Sequence, residues 1–283
     1  MLNKAMYTSF GFGKVGGKSC NFNFENDEFL SIQRRKIKEY CDSHSIPLHA
    51  IGYNHKYMSR ILSNTDPELE NDSKKHSVYT LSAIAAIFDF CDSEYDEFYW
   101  MHLDMVFNKP DINIFDTFEI NDDTIYNWEW ASMYTYGYDD WQKEKFRLRR
   151  NLLDYFGIKY DVDDVNLHFF SNCSTIMMKK KAAIRFRDAI LEHIDFINTK
   201  NSNICHIEET VMEVINYLYG DINMAPIHSI KTINEYEGEL FPITFKSVYG
   251  QEDKCNHKDS VFIHYWGENK KDIADFYRAR GIL

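Results

Sequence analysis

Apolar positions recur along the chain with two different periods, and the order in which those periods alternate predicts the architecture. Residues 5–10, AMYTSF, read as a short strand. Over 29–41 the period lengthens: Phe29, Ile32, Ile37, Tyr40 and Cys41 fall on one helical face, and Pro47 ends the helix. Residues 49–53 form a second strand, followed through Ser73 by a loop rich in Asn, Asp and Ser around Pro67. Val78, Leu81, Ile84, Ala85 and Phe88 return to helical spacing, and 97–103 read as a third strand. Strand, helix, strand, helix, strand predicts an α/β fold: a Rossmann-like, mixed but mainly parallel sheet flanked by helices. In such sheets ligands sit beyond the C-terminal strand ends.

From 111 to 160 the pattern weakens into acidic and aromatic segments, which reads as an insertion or acceptor lobe. Regular signals return as one or two strands over 166–179. A helix over 182–198 follows, with Phe186, Ile190, Ile194 and Ile197 facing inward, then a helix over 208–219. A strand over 261–265 and a helix over 269–280 complete the pattern. There is no internal repeat and no low-complexity linker, so residues 1–283 are expected to form a single domain.

Composition narrows the partners. The 283 residues are 44% hydrophobic, enough for a large core. With 44 acidic and 32 basic side chains the net charge is −12, which opposes an unassisted grip on a nucleic-acid backbone. A small phosphorylated ligand stays open, because a bound cation supplies its own local positive charge. The six cysteines show no CxxC pair, and no apolar run approaches the roughly eighteen residues that a membrane helix needs. A reduced, cytoplasmic protein without a membrane span is therefore expected.

The densest candidate chemistry lies at 96–107, DEFYWMHLDMVF, where an apolar run reaches His102 and Asp104. In an extended strand these two face the same side, and an imidazole with a carboxylate can grip one divalent cation. The simpler alternative is a polar strand end, with the His bonded to a carbonyl and the Asp capping a turn. A second segment, 261–270 (VFIHYWGENK), places Gly267 and Lys270 three and six residues after His264. The glycine-rich 11–19, GFGKVGGKS, is not a phosphate loop, because Phe12 stands where its first Gly must be. Glu208 and Glu209 open a helix whose dipole favours them. Cys205 with His206, and Cys255 with His257, lack the second spaced pair that zinc requires. The aromatics Tyr126, Trp128, Trp130, Tyr134, Tyr136, Tyr138 and Trp141 read as packing or as a sugar-stacking groove. The basic run 143–150, KEKFRLRR, reads as a solvated helix face or a dock for an acidic acceptor.

The segment around FYWMHLDMVF resembles the region of GT-A-fold glycosyltransferases that leads into their Asp-x-Asp metal motif. His264, Gly267 and Lys270 match the His-x-x-Gly-x-x-Lys spacing of the glycogenin and bacterial galactosyltransferase-type family, and Asn172-Cys-Ser-Thr-Ile-Met-Met is similar to its Asn-(Ala/Ser)-Gly-hydrophobic stretch. The departures are His102 in place of the first Asp, Ser174 in place of a Gly, and Lys271-Asp272 in place of Pro-Trp.

That resemblance implies a GT-A-like fold and a glycosyltransferase moving a sugar from a nucleotide-diphosphate donor, UDP-sugar by family habit, to a glycan, lipid or protein acceptor. It implies Mn2+ or Mg2+ held by His102, Asp104 and His264, with Asp104 also catalytic. Lys74, Lys75, Asn172, Gly267 and Lys270 would contact the donor, and Glu209 would be the second catalytic carboxylate, contacting the acceptor or stabilising charge on the reacting sugar. Two other readings use the same residues: a metal-dependent hydrolase or nucleotidyltransferase, and a carbohydrate-binding scaffold with a degenerate transferase fold.

Overall fold

The computed structural model of the chain describes residues 3–9, 28–52, 55–57, 72–117, 119–129, 140–155, 157–163, 171–192, 207–219, 223–226, 243–246, 261–265, 273–281 and 283. In chain order they form β1 (Lys4–Ser9), α1 (Glu28–Ser43), β2 (Leu48–Ile51), α2 (Asp72–Asp92), β3 (Glu97–Met101), β4 (Met105–Phe107), a 3-10 turn (Ile114–Asp116) and β5 (Thr124–Glu129). There follow α3 (Asp140–Tyr155), β6 (Ser171–Lys179), α4 (Lys180–Glu192), α5 (Ile207–Leu218), β7 (Asn223–Pro226), β8 (Ile243–Lys246), β9 (Phe262–Tyr265) and α6 (Ile273–Ala279).

Six strands form one sheet in the order β2-β1-β3-β6-β5-β7, in which β6 runs against the other five. This is the mixed, mainly parallel sheet that the strand and helix alternation predicts. A second sheet has the order β4-β9-β8. All five residues of β3, EFYWM, are buried, as a central strand covered on both faces requires. Alternation along the strands identifies the layers. Tyr7 and Phe98 pack on Phe90 of α2, with ring centroids 6.3 and 5.2 Å apart. Met6 meets Cys41 of α1, and Tyr99 stacks on Phe262 of β9 at 5.8 Å. Neighbouring residues thus point to opposite faces, so α2 covers one side while α1 and the second sheet cover the other.

Helix α1 buries Ile32, Ile37, Tyr40 and Cys41, the stripe that its spacing predicts. It ends before Pro47 acts: Ser45 adopts a left-handed φ of 55°, and the Ile46 N–H returns to the Cys41 carbonyl at 2.9 Å. Helix α2 starts at Asp72, so Lys74 and Lys75 lie within its first turns rather than ahead of it. At its other end Lys180 donates to the Phe90 and Ser93 carbonyls, which places the C-terminus of α2 beside the end of β6. The N-terminus of α2 therefore lies toward the opposite edge, where β1 and β3 end.

Three expectations change. The strand expected over 97–103 stops at Met101. Residues 111–160, read as an insertion or lobe, supply β5 to the interior of the main sheet, and α3 packs on α5. The basic run on α3 is not wholly solvated: Arg149 is fully buried and paired with the buried Glu213 of α5. Its position three and four residues before the buried Leu152 and Leu153 puts it on the apolar stripe.

On the edge strand β2, His49 stacks on Tyr7 at 4.7 Å. Burial pushes its imidazole below the ordinary value of 6.5, with Asp89 opposing the shift and His55 adding to it. His55 moves the same way through burial, against its neighbour Asp89. The unfolded chain then holds these protons more tightly. Stability is full above the unfolded value and is lost as pH falls below it. His49→Gln is expected to flatten the drop in urea midpoint between about pH 7 and pH 5; an unchanged slope would exclude His49 as a source.

Candidate functional site

At the end of β3 the chain turns at once. The Met105 N–H bonds the His102 carbonyl at 3.4 Å, closing a turn over residues 102–105 that carries the backbone from the main sheet into the second one. His102 and Asp104 are thus not neighbours on a strand face, as the sequence predicts. They are two corners of a turn, and the turn brings Nδ1 of His102 within 3.8 Å of Oδ1 of Asp104. The Asp104 side chain is 5% exposed and that of His102 13%, so the imidazole keeps an opening to solvent.

The backbone of the second histidine, His264, belongs to the second sheet. Strands β4 and β9 pair antiparallel with Met105 opposite His264, so the backbone of His264 lies across from the residue that follows Asp104. Opposed Cα atoms in such a ladder are about 4.5–5.5 Å apart. The side chain of His264 lies outside the described residues, as do Gly267 and Lys270. Among the described side chains no group of three His, Cys, Asp or Glu is arranged to hold a metal ion. His102 and Asp104 form a pair, and a pair fits a cation. Two atoms each about 2.1 Å from a shared ion cannot be more than about 4.2 Å apart, and 3.8 Å satisfies that limit.

The turn is held from several sides. Thr8 Oγ1 donates to the Met101 carbonyl at 2.7 Å, and the Trp100 ring meets His102 edge-on at 5.9 Å. Gln33 of α1 donates through Nε2 to the carbonyls of Leu103 (2.8 Å) and Met105 (2.5 Å). Tyr277 of α6 donates to Gln33 Oε1 at 2.9 Å and accepts the Phe107 N–H at 3.2 Å. Pattern reading passes over Gln33 because it is polar. The signal was its spacing, four and seven residues before Ile37 and Tyr40, which puts an amide in the middle of a buried stripe.

The same edge of the sheet collects other candidates. Between Asn127 and Trp128 the β6 partner jumps from Ile176 to Asn172, a bulge of the kind that re-aims side chains. Cys173, inside that jump, finds other partners for its backbone: its N–H bonds Glu209 Oε1 at 3.3 Å, and its carbonyl accepts Trp100 Nε1 at 3.0 Å. Glu209, expected to face acceptor or sugar, is 3% exposed and braces the strand beside Asn172. Trp100 links the two halves of the site, touching His102 with its ring and Cys173 with its N–H. Residues 11–19, Trp130, Tyr134, Tyr136 and Tyr138, and the Cys205–His206 and Cys255–His257 pairs lie outside the described residues.

No protein-family model matches the chain, and no curated protein matches it in sequence. Among solved structures it is similar to a glycosyltransferase involved in glycosylation of the major capsid of PBCV-1, with 12% identity, 96% of this chain and 98% of that one covered, and a TM-score of 0.49. It is similar to the bifunctional glycosyltransferase WbbM, with 12% identity and a TM-score of 0.49 over 98% of this chain and 49% of that one. A third likeness is to the galactosyltransferase LgtC solved with donor and acceptor sugar analogues, at 8% identity and a TM-score of 0.43 over 99% and 100% of the two chains.

Proposed function

We propose that this protein is a divalent-metal-dependent glycosyltransferase that takes a sugar from a nucleotide-diphosphate donor, a UDP-sugar, and passes it to a glycan, lipid or protein acceptor. One observation carries the reading: the β4–β9 register sets His264 across from the turn in which His102 and Asp104 stand 3.8 Å apart. These three residues would hold the cation, Mn2+ or Mg2+, the Asp104 carboxylate supplying the hard oxygen and the imidazoles the softer nitrogens. When bound, it neutralises charge that builds on the departing diphosphate.

The other residues take roles set by their place. Lys270 and the side-chain-free Gly267 follow His264 in sequence, and in this reading they would supply a cation and a close backbone to the diphosphate. Lys74 and Lys75, in the first turns of α2, approach from the same edge. Asn172, whose backbone lies at the bulge of β6, would contact the donor. Glu209 enters as a positioning residue, because its carboxylate is committed to the Cys173 amide. Among the described residues Cys41, Cys91 and Cys173 form no disulfide, which accords with the reducing, cytoplasmic setting of this reading. Among the described residues no helix is long and apolar enough to cross a membrane.

Thermal unfolding with manganese and a panel of nucleotides tests the reading. UDP should raise the unfolding temperature only when manganese is present, by an amount equivalent to about 2.7 kcal/mol at a hundredfold excess over Kd. Indifference to both ligands identifies a scaffold. A metal response without nucleotide preference identifies a hydrolase. Incubation with mixed nucleotide sugars and manganese then names the donor through the nucleotide it releases.

A further inference from the structure

We infer that Gln33 and Tyr277 are positioning residues that clamp the 102–105 turn in the one shape that lets His102 and Asp104 share a cation. The inference rests on the metal reading above and adds to it two residues that pattern reading passes over.

The chain leaves one sheet at Met101 and joins another at Met105, so the peptide groups between them have no strand ladder to satisfy them. Gln33 meets that need. It is fully buried, and its Nε2 bonds the carbonyls of Leu103 and Met105, the residues on either side of Asp104. Its remaining polar atom, Oε1, accepts the Tyr277 hydroxyl. That hydroxyl in turn accepts the Phe107 N–H in β4. Four hydrogen bonds therefore run from the carbonyl before Asp104 to the amide three residues after it, all from side chains sealed from water.

Only a primary amide offers two donors and an acceptor at once, so the site selects Gln over Glu, Met or Leu. A polar group at this depth costs stability that an apolar residue on the same stripe would not. Both of its donors are spent on one turn, and its acceptor holds the tyrosine that bonds the strand beyond it. The tolerance of that turn is narrow. The His102–Asp104 separation of 3.8 Å is within about 0.4 Å of the widest spacing that two ligands of one ion allow. Relaxation by half an ångström moves the pair out of range. Tyr277 comes from α6, the helix that follows β9, so the chain segment that delivers His264 also locks the turn it approaches.

The test uses Gln33→Met, which keeps the shape and removes the hydrogen bonds, and Tyr277→Phe, which removes only the hydroxyl. Manganese affinity is measured by the electron paramagnetic resonance signal of the free ion, and hydrogen exchange of residues 102–107 is followed in metal-free protein. Each variant is expected to bind manganese about tenfold more weakly and to exchange faster in that segment, with β1 and β2 unchanged. Gln33→Glu, equal in length but able to offer at most one donor when burial keeps its carboxyl protonated, should also bind manganese more weakly. Wild-type manganese affinity in folded Gln33→Met and Tyr277→Phe overturns the inference, even where exchange accelerates. If Gln33→Met does not fold, Tyr277→Phe decides alone. Wild-type protein that binds no manganese refutes the metal reading and this inference together. Wild-type protein that binds manganese no better than the variants refutes this inference only.

Discussion

Asp104→Asn is expected to lower manganese-dependent nucleotide release from the donor by about 10^3-fold while leaving the fold in place. The carboxylate is the hard, charged member of the proposed set, whose other members are imidazoles, and it is nearly buried. An amide of the same shape keeps the packing and removes the charge that draws a divalent cation. Loss of the cation forfeits several kcal/mol of stabilisation on the leaving diphosphate, and each 1.36 kcal/mol is about tenfold in rate. The structural control is unfolding in chelator. Without metal the variant should melt close to the parent, since Asn still fits the turn between the Gln33-bonded carbonyls. Asp104→Ala should show the same kinetic loss with a somewhat lower melting temperature. Full nucleotide release by either variant would remove this turn from the reaction.

His102 tests the same site from its unusual side. An imidazole stands where the resembling family carries its first carboxylate, and the geometry accommodates it: the ring sits edge-on to Trp100 with Nδ1 toward Asp104. In the proposed site the turn would supply one hard and one soft ligand, and the opposed β9 residue is a second histidine. The donor set therefore leans toward the transition-metal end of the range, which is why manganese rather than magnesium is the probe of choice.

Much of this was legible in the chain. The periods of α1 and α4 are clear because each helix buries a stripe, α2 and α5 keep apolar residues at helical spacing although 81–88 and 208–215 are buried all round, and β1, β3 and β6 are apolar runs long enough to see. The spacing of His264, Gly267 and Lys270 pointed toward a partner for His102 and Asp104, and the β4–β9 register supplies the adjacency. What escaped has physical reasons. The run 97–107 contains no Gly, Pro or Asn, so Asp104 was the one residue in it that marked a turn, and the chain changes sheets there. β7 and β8 have four residues each, too few for a period to show. β5 sits among acidic residues that hide its buried Thr124, Ile125, Tyr126 and Asn127. Gln33 and Arg149 were missed for one reason: each is a polar residue on an apolar stripe, and only the three-dimensional partner explains it.

Arg149 carries the second large effect, on stability rather than rate. Arg149→Met is expected to destabilise the protein by about 3–5 kcal/mol, because it leaves the Glu213 carboxylate buried beside an apolar side chain. Glu213 is 1% exposed on a helix in which residues 208–215 are all buried, so water cannot replace the lost guanidinium without local opening. Glu213→Leu alone should cost a similar amount by stranding the arginine. The double variant Arg149→Met/Glu213→Leu should recover most of the loss, since well-packed apolar residues often replace a buried ion pair at little cost. Urea unfolding of the parent, both single variants and the double variant measures the coupling. A single-variant cost below about 1 kcal/mol would show that the pair behaves like an exposed one. Because α5 also presents Glu209 to the Cys173 amide, release of Glu213 is expected to loosen the start of β6 as well, and faster hydrogen exchange at Cys173 in Arg149→Met is the local sign of it.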